Sequence, residues 1–157
     1  MRTSVSLLGS TGSVGANVLK IIDKNKKNFK FDLFVANKNY RLICRQIKKY
    51  NPDHFIINDI EVYKKIKSKF KKKKIKILNN FTSFAPKKKT DITISAIPGI
   101  AGLQPTMSLT GQSKKILIAN KEAVICGWSL IKNIARKNKT KIIPIDSEHF
   151  SILKLIE

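Results

Sequence analysis

The chain has 157 residues and a mass of 17.8 kDa, with 42% hydrophobic and 8% aromatic residues, which suits one folded domain and excludes wholesale disorder. No apolar run approaches the ~18 residues that a membrane span needs, and two lone cysteines, Cys44 and Cys126, exclude a disulfide scaffold and point to a reducing compartment. The net charge of +22 admits a polyanionic partner, yet 28 of the 32 basic residues are Lys and only four are Arg.

In chain order, β-rich runs alternate with helical stretches. Val5–Leu8 reads as the first strand, and Met1 stands so close to it that no room is left for a secretory or transit segment. Val14–Lys26 reads as a helix, with Val14, Val18, Leu19 and Ile22 on one face. There follow a strand at Phe31–Ala36, a helix at Arg41–Tyr50, a strand at His54–Ile57 and a helix at Ile60–Phe70. Further strands are expected at Ile75–Leu78, Asp91–Ile97, Lys115–Ala119 and Lys141–Ile145, with a long helix over Lys121–Asn138. Runs such as Ile92–Ile97, mostly apolar and β-branched, suit strands covered on both faces. The alternation predicts an open, doubly wound, mainly parallel α/β sheet of about seven strands. Within the long helix, Cys126 and Trp128 are expected to pack, and His54 is expected to be structural. Lys71–Lys74 and Lys87–Lys89 read as solvated turns. The segment Ser147–Glu157 starts a helix with an apolar face and then stops, as if the chain continued.

The charge has a compositional reading. Lys, Ile and Asn, all with A/T-rich codons, make up about 41% of the chain. Base-specific sites lean on Arg for bidentate contacts, and aromatic residues are not interleaved with the Lys runs. A specific nucleic-acid site is therefore not expected, although weak binding at low salt is.

The strongest site signal is Gly9-Ser10-Thr11-Gly12-Ser13-Val14-Gly15, between the first strand and the first helix. Its glycines allow a tight turn and close backbone approach, and the helix start offers amides and a positive dipole to a diphosphate. The spacing is neither the usual dinucleotide fingerprint nor a P-loop. At the end of the second strand, where an acidic residue would favour NADH, the chain reads Asn37-Lys38-Asn39; a lysine there favours the 2′-phosphate of NADPH. Pro98-Gly99, Asn120-Lys121-Glu122 and Asp146-Ser147-Glu148-His149 all follow carboxyl ends of strands, where such sheets bind ligands. Asp146 and Glu148 suit a hard divalent ion, Mg²⁺ or Mn²⁺, and equally read as a helix cap with a first-turn acid. Lys121 could fix an anionic substrate or be a surface residue.

These segments together resemble the 1-deoxy-D-xylulose 5-phosphate reductoisomerase family, through Leu7–Gly15, the Ala36–Asn39 strand end, Ser95–Leu103, Ile118–Glu122 and Pro144–His149, in the family's order. The resemblance implies a Rossmann-like NADPH-binding domain over residues 1–146, with 147–157 as the start of a truncated catalytic domain. It implies Thr11, Gly12, Ser13 and Val14 at the cofactor diphosphate and Asn37, Lys38 and Asn39 near the adenosine phosphate. Asn120 and Glu122 match further cofactor contacts. Lys121, Ser147 and Glu148 match substrate contacts, with Lys121 and Glu148 catalytic, and Asp146 and Glu148 match metal ligands. The family usually has Gly where Asn37 stands; Asn tolerates a positive φ better than most residues, so the turn is compatible with it, and the departure bears on the fine geometry of the 2′-phosphate site. The implied reaction rearranges the sugar phosphate and then reduces it with NADPH to 2-C-methyl-D-erythritol 4-phosphate, on the route to isoprenoid precursors. Family members continue into a catalytic domain with a third metal carboxylate, a lid and dimer contacts. The expectation is thus an NADPH-binding part that alone is inactive, from a homodimeric enzyme of the bacterial cytoplasm, with neither a specific nucleic acid nor a membrane as partner. The alternatives are another NADP-linked oxidoreductase domain or a basic nucleic-acid-binding domain.

Overall fold

The computed structural model describes residues 2–86, 88–145 and 155. Seven strands form one sheet: β1 (Thr3–Leu8), β2 (Phe29–Ala36), β3 (His54–Ile57), β4 (Lys76–Leu78), β5 (Thr90–Ser95), β6 (Ser113–Ile118) and β7 (Lys141–Pro144). Their order is β4-β3-β2-β1-β5-β6-β7 and every pairing is parallel. Parallel strands need crossovers, supplied by α1 (Ser13–Asp23), α2 (Tyr40–Tyr50), α3 (Ile60–Lys69), α4 (Leu103–Thr110) and α5 (Lys121–Asn138). Among the described residues no helix is long and apolar enough to cross a membrane.

The two faces are covered by two sets of helices because the chain restarts at the centre. From β1 it winds outward to β4, placing Leu19 and Ile22 of α1, Ile43 and Ile47 of α2 and Ile66 of α3 against Leu7, Phe34 and Phe55. Residues 79–89 then return to the middle, laying Phe84 over Leu33, Val35 and Ile56 on the opposite face. From β5 the chain winds the other way. Leu109 of α4 completes the cover over Leu8 and Val35, and Ile131 of α5 packs on Ile116 and Ile118. Alternation along each strand feeds both cores: Leu7 points to one and Leu8 to the other, each fully buried. Each such side chain contributes roughly 1.5–3 kcal/mol. The reversal of winding puts a crevice between β1 and β5, at the carboxyl ends of the strands.

Several expectations change. The first helix ends at Asp23, followed by a 3-10 turn at Lys26–Asn28, because the chain must turn back to reach β2. The strand expected over Asp91–Ile97 spans Thr90–Ser95, leaving Ala96 and Ile97 to the crevice wall. The segment Pro98–Gly102 reads as a strand-to-helix turn and does lead into a helix, but the range of α4, Leu103–Thr110, is not among the expected elements. Cys126 and Trp128 do not pack: both are exposed. The reason lies between them. Gly127 is non-helical at φ −130° and ψ 16°, where α5 kinks around Leu103; a Cβ on Gly127 would collide with Leu103 Cδ1. Gly127 belongs to a buried stripe with Ala123, Ile131 and Ala135, spaced four residues apart, and its neighbours in sequence fall outside that stripe. Val14 likewise faces solvent rather than the core. Lys71–Lys74, Lys88 and Lys89 are exposed, as solvated turns should be. The boundary between residues 146 and 147 lies outside the described residues.

Candidate functional site

The loop after β1 is built by backbone contacts. The N–H groups of Gly9 and Ser10 both donate to the Val35 carbonyl at 2.9 Å, binding the loop to β2. Gly9 sits at φ +80°, and a Cβ there would come 2.5 Å from the Ala96 carbonyl oxygen. A Cβ on Gly15 would run into the Gly9 carbonyl oxygen. The loop is therefore pressed between β5 and α1 with no room for side chains at these two glycines. Gly12 then opens α1 as its N-cap, with no capping side chain and no acidic residue in the first turn. The opening N–H groups and the helix dipole thus face the crevice uncompensated, as an anion cradle requires. α2, α3 and α5 are capped instead by Asn39, Asp59 and Asn120.

A cleft of 330 Å³ lies over this helix start. It gathers Gly12, Ser13 and Val14 from the β1 loop, Ala96, Ile97 and Pro98 from the β5 end, and Asn120, Lys121 and Glu122 from the β6 end. Six of the residues singled out in the sequence thus share one cavity. Its apolar part is Val14, Ala96, Ile97 and Pro98, and its charges are Lys121 and Glu122 at the first turn of α5.

Asn120 proves to be a brace. Its Oδ1 accepts from the Ala123 N–H at 2.9 Å, and its Nδ2 donates to the carbonyls of Gly99, at 2.9 Å, and Ile97. It is buried, and Gly102 lies so close that a Cβ there would meet the amide. The side chain ties two walls of the cleft together. Only its edge reaches the cavity.

Thr11 lies on the same loop but does not line the cleft. Asn37, Lys38 and Asn39 stand exposed at the end of β2, next to β1 in the sheet and about 4.8 Å away in strand spacing. Asn39 Oδ1 caps α2 by accepting from the Leu42 N–H at 3.1 Å. Among the described residues the non-glycine positive φ values are those of Asn51 and Lys139, so the turn at Asn37 does not draw on the tolerance of Asn for a positive φ. Any L-residue fits its backbone.

Asp146, Ser147 and Glu148 lie outside the described residues. The chain reaches them from Ile145, whose N–H donates to the Ile118 carbonyl at 3.0 Å, beside the start of the Asn120 brace. Among the described residues no group of three or more His, Cys, Asp or Glu could hold a metal ion.

One pair escaped the sequence reading. Ser10 Oγ donates to Gln46 Oε1 at 2.7 Å, and Gln46 Nε2 donates to the Ser10 carbonyl at 2.8 Å, both buried. They are 36 positions apart, and nothing local marks Gln46 except a polar residue on the apolar face of α2.

Comparison with known proteins gives a consistent result. The family model for 1-deoxy-D-xylulose 5-phosphate reductoisomerase matches residues 5–127. A reductoisomerase of that name from Pelagibacter ubique is 43% identical over 98% of this chain, which covers 40% of that protein. One from Buchnera aphidicola of Schizaphis graminum is 40% identical over 97% of the chain and 39% of its own length. The chain thus spans about two fifths of the curated relatives it matches. Among solved structures, the Zymomonas mobilis reductoisomerase in complex with NADPH superposes with a TM-score of 0.86 at 28% identity, covering 95% of this chain and 40% of that one. A reductoisomerase in complex with NADPH, fosmidomycin and magnesium gives 0.85 at 28% identity, covering 94% and 37%.

Proposed function

The chain belongs to the 1-deoxy-D-xylulose 5-phosphate reductoisomerase family, and from that premise we propose that it is the NADPH-binding part of such an enzyme. The observation that carries the reading is the uncapped start of α1, open to a cleft at the sheet's reversal point, with Lys38 at the end of the adjacent strand. A dinucleotide fits this layout. Its diphosphate would take the N–H groups of Ser13 and Val14, its adenosine phosphate would approach Lys38, and its nicotinamide would lie toward Ala96, Ile97 and Pro98. The relatives of known structure described with NADPH support the same placement.

In this reading the whole protein converts 1-deoxy-D-xylulose 5-phosphate to 2-C-methyl-D-erythritol 4-phosphate for isoprenoid precursors. It acts as a homodimer in a bacterial cytoplasm. Lys121 projects from the first turn of α5 at the cleft, where its ammonium would hold an anionic substrate group. Glu122 beside it would orient the cofactor. Asn120 keeps both in place by fixing the α5 start to the Ile97–Gly99 wall. Asp146 and Glu148, with Ser147 between them, are hard oxygen donors of the kind that hold Mg²⁺ or Mn²⁺. Such an ion, when bound, supplies Lewis acidity to substrate oxygens. A relative of known structure is described in complex with magnesium.

The 157 residues alone are proposed to bind NADPH and to turn over nothing. The test is a calorimetric titration of the chain with NADPH and NADH, followed by an assay with 1-deoxy-D-xylulose 5-phosphate and Mg²⁺. NADPH binding tighter than NADH binding, without NADPH oxidation, is the expected result. Absent NADPH binding at millimolar concentration would overturn the cofactor assignment. Steady oxidation would overturn the division of labour.

A further inference from the structure

The crevice occupies one pole of the molecule. The opposite pole, where the strands begin and the helices end, carries a second feature. Because all seven strands are parallel, every crossover helix runs back, and the carboxyl ends of α1, α2, α3 and α5 lead toward the same side. Helix carboxyl ends favour cations. The last turns hold Lys20, Lys48 and Lys49, Lys67 and Lys69, and Arg136 and Lys137. The strand starts add Arg2, Lys30, Lys76, Lys114 and Lys141, all exposed. The topology therefore gathers a scattered lysine excess into one basic surface.

The acids near this surface are already used. Asp23 pairs with Lys49 at 2.5 Å, Asp53 and Asp32 share Lys30 at 2.7 and 3.6 Å, and Asp91 pairs with Lys114 at 2.7 Å. Arg2, Lys27, Lys115 and Lys141 take part in no ion pair among the described residues.

The surface is also concave. One trough of 570 Å³ is lined by Arg2, Lys26, Lys27, Lys30 and Asp53 among others, and a second of 420 Å³ by Arg2, Asp91, Lys114 and Lys115 among others. Arg2 belongs to both, at the start of the central strand β1. The two troughs cross the amino ends of β2, β1, β5 and β6 in one line. Six strand intervals of about 4.8 Å make this edge of the sheet about 29 Å wide.

We infer that this basic trough binds the phosphate backbone of nucleic acid, without reading base sequence and independently of the cofactor cleft. Lysines supply point charges for phosphates, and Arg2 is the one arginine lining either trough, so the contacts are mostly to backbone charge rather than to base edges. An anionic membrane is the less fitting partner. Peripheral membrane sites add inserted apolar side chains to their cations, and none of the large apolar side chains exposed on the described residues lines either trough. A concave track also suits a strand better than a flat bilayer.

The probes are a fluorescent twenty-nucleotide thymidine strand and vesicles of phosphatidylcholine with phosphatidylserine. The wild-type chain is expected to bind the strand at 50 mM salt. With about four phosphates neutralised, affinity falls about 50-fold by 200 mM. The double variant Lys27→Glu with Lys115→Glu is expected to lose at least tenfold at 50 mM. A control of equal charge change at mid-helix positions away from the trough, Lys65→Glu with Lys132→Glu, both exposed, is expected to lose less than threefold. NADPH is not expected to displace the strand. The inference is overturned if the control loses as much as the trough variant, if NADPH competes, if vesicles bind more tightly than the strand, or if no binding appears at 50 mM. Should the trough variant fail to fold, single Lys27→Gln and Lys115→Gln variants carry the same comparison at smaller amplitude.

Discussion

Ser10 and Gln46 hold each other by two opposed hydrogen bonds, hydroxyl to amide oxygen at 2.7 Å and amide nitrogen to carbonyl at 2.8 Å. The pair fixes the β1 loop to α2 behind the surface proposed to receive the cofactor. Replacing Gln46 with Leu leaves two buried polar groups of Ser10 unpaired, at a cost of about 1–3 kcal/mol each. Urea unfolding of Gln46→Leu is therefore expected to show a stability loss of about 2–6 kcal/mol for the two groups together. NADPH affinity is expected to fall with it, since the loop loses its support. Gln46→Glu keeps the acceptor for the Ser10 hydroxyl and should lie between the two. A Gln46→Leu chain with wild-type stability and NADPH affinity would show that the loop stands without the pair.

Two glycines with positive φ should respond differently to the same change. Gly9 at φ +80° meets the Ala96 carbonyl, while Gly99 at φ +69° faces open space. Gly99→Ala meets no neighbour but puts an alanine at φ +69° and ψ −173°, a region essentially confined to glycine, at a cost of about 1–3 kcal/mol, and the chain is expected to fold and bind NADPH. Gly9→Ala adds a collision with backbone atoms that cannot yield. It is expected to abolish NADPH binding and to cost more than twice as much in thermal unfolding. Equal losses would mean that the β1 loop can move away from β5.

The strands were legible because a parallel sheet covered on both faces leaves uninterrupted apolar runs such as Leu33–Ala36 and Phe55–Ile57. The phosphate loop was legible because its glycines answer a local steric demand. Helix α4 was not, because its buried face is Pro105, Thr106, Leu109 and Thr110. Thr106 and Thr110 fit there by returning their hydroxyls to the Gly102 and Thr106 carbonyls, so no apolar period marks the helix. Trp128 and Cys126 read as core from their apolar character alone; the stripe actually buried is Ala123, Gly127, Ile131 and Ala135, and Gly127 is set in it by its close approach to Leu103, which is distant in sequence. Asn120 was read as a ligand contact because its motif marks the site. That its amide is spent on Ile97 and Gly99 is a tertiary fact no local pattern carries.

At the far end of β1, Asp91 accepts from Lys114 and from the N–H and hydroxyl of Ser4. The hydrogen bond from Lys114 first, and then the Ser4 backbone, lower its carboxyl from 3.8 to about 2. A depressed carboxylate stabilises the fold above its unfolded pKa, and the contribution is lost as pH falls from about 4 through about 2. The side chain is 33% exposed, so solvent screening leaves on the order of 1 kcal/mol. Asp91→Asn is expected to lower stability at pH 7 by that amount and to leave it unchanged near pH 2. The check is urea unfolding of both chains across pH 2–7. A gap that does not narrow toward pH 2 would assign the effect to lost hydrogen bonding, since the amide nitrogen cannot accept from Ser4.

In the proposed function, a preference for NADPH turns on Lys38. It stands exposed between Asn37 and the α2 cap Asn39, where an acidic residue would accept from a ribose hydroxyl in an NADH-binding site. A 2′-phosphate carries up to two negative charges, and one exposed lysine facing it would contribute about 1.4 kcal/mol, tenfold in affinity. Lys38→Ala is therefore expected to weaken NADPH binding about tenfold and to leave NADH binding unchanged. Lys38→Asp should invert the order, repelling the phosphate while offering the ribose an acceptor. Arg41 follows in the first turn of α2 and is exposed as well, so Arg41→Ala separates the two cations. If Lys38→Ala leaves the NADPH-to-NADH ratio unchanged and Arg41→Ala collapses it, the phosphate sits over the α2 start rather than at the strand end. Parallel calorimetric titrations of both cofactors decide between them, because only the ratio, and not the NADPH affinity alone, isolates the 2′-phosphate from damage to the diphosphate loop.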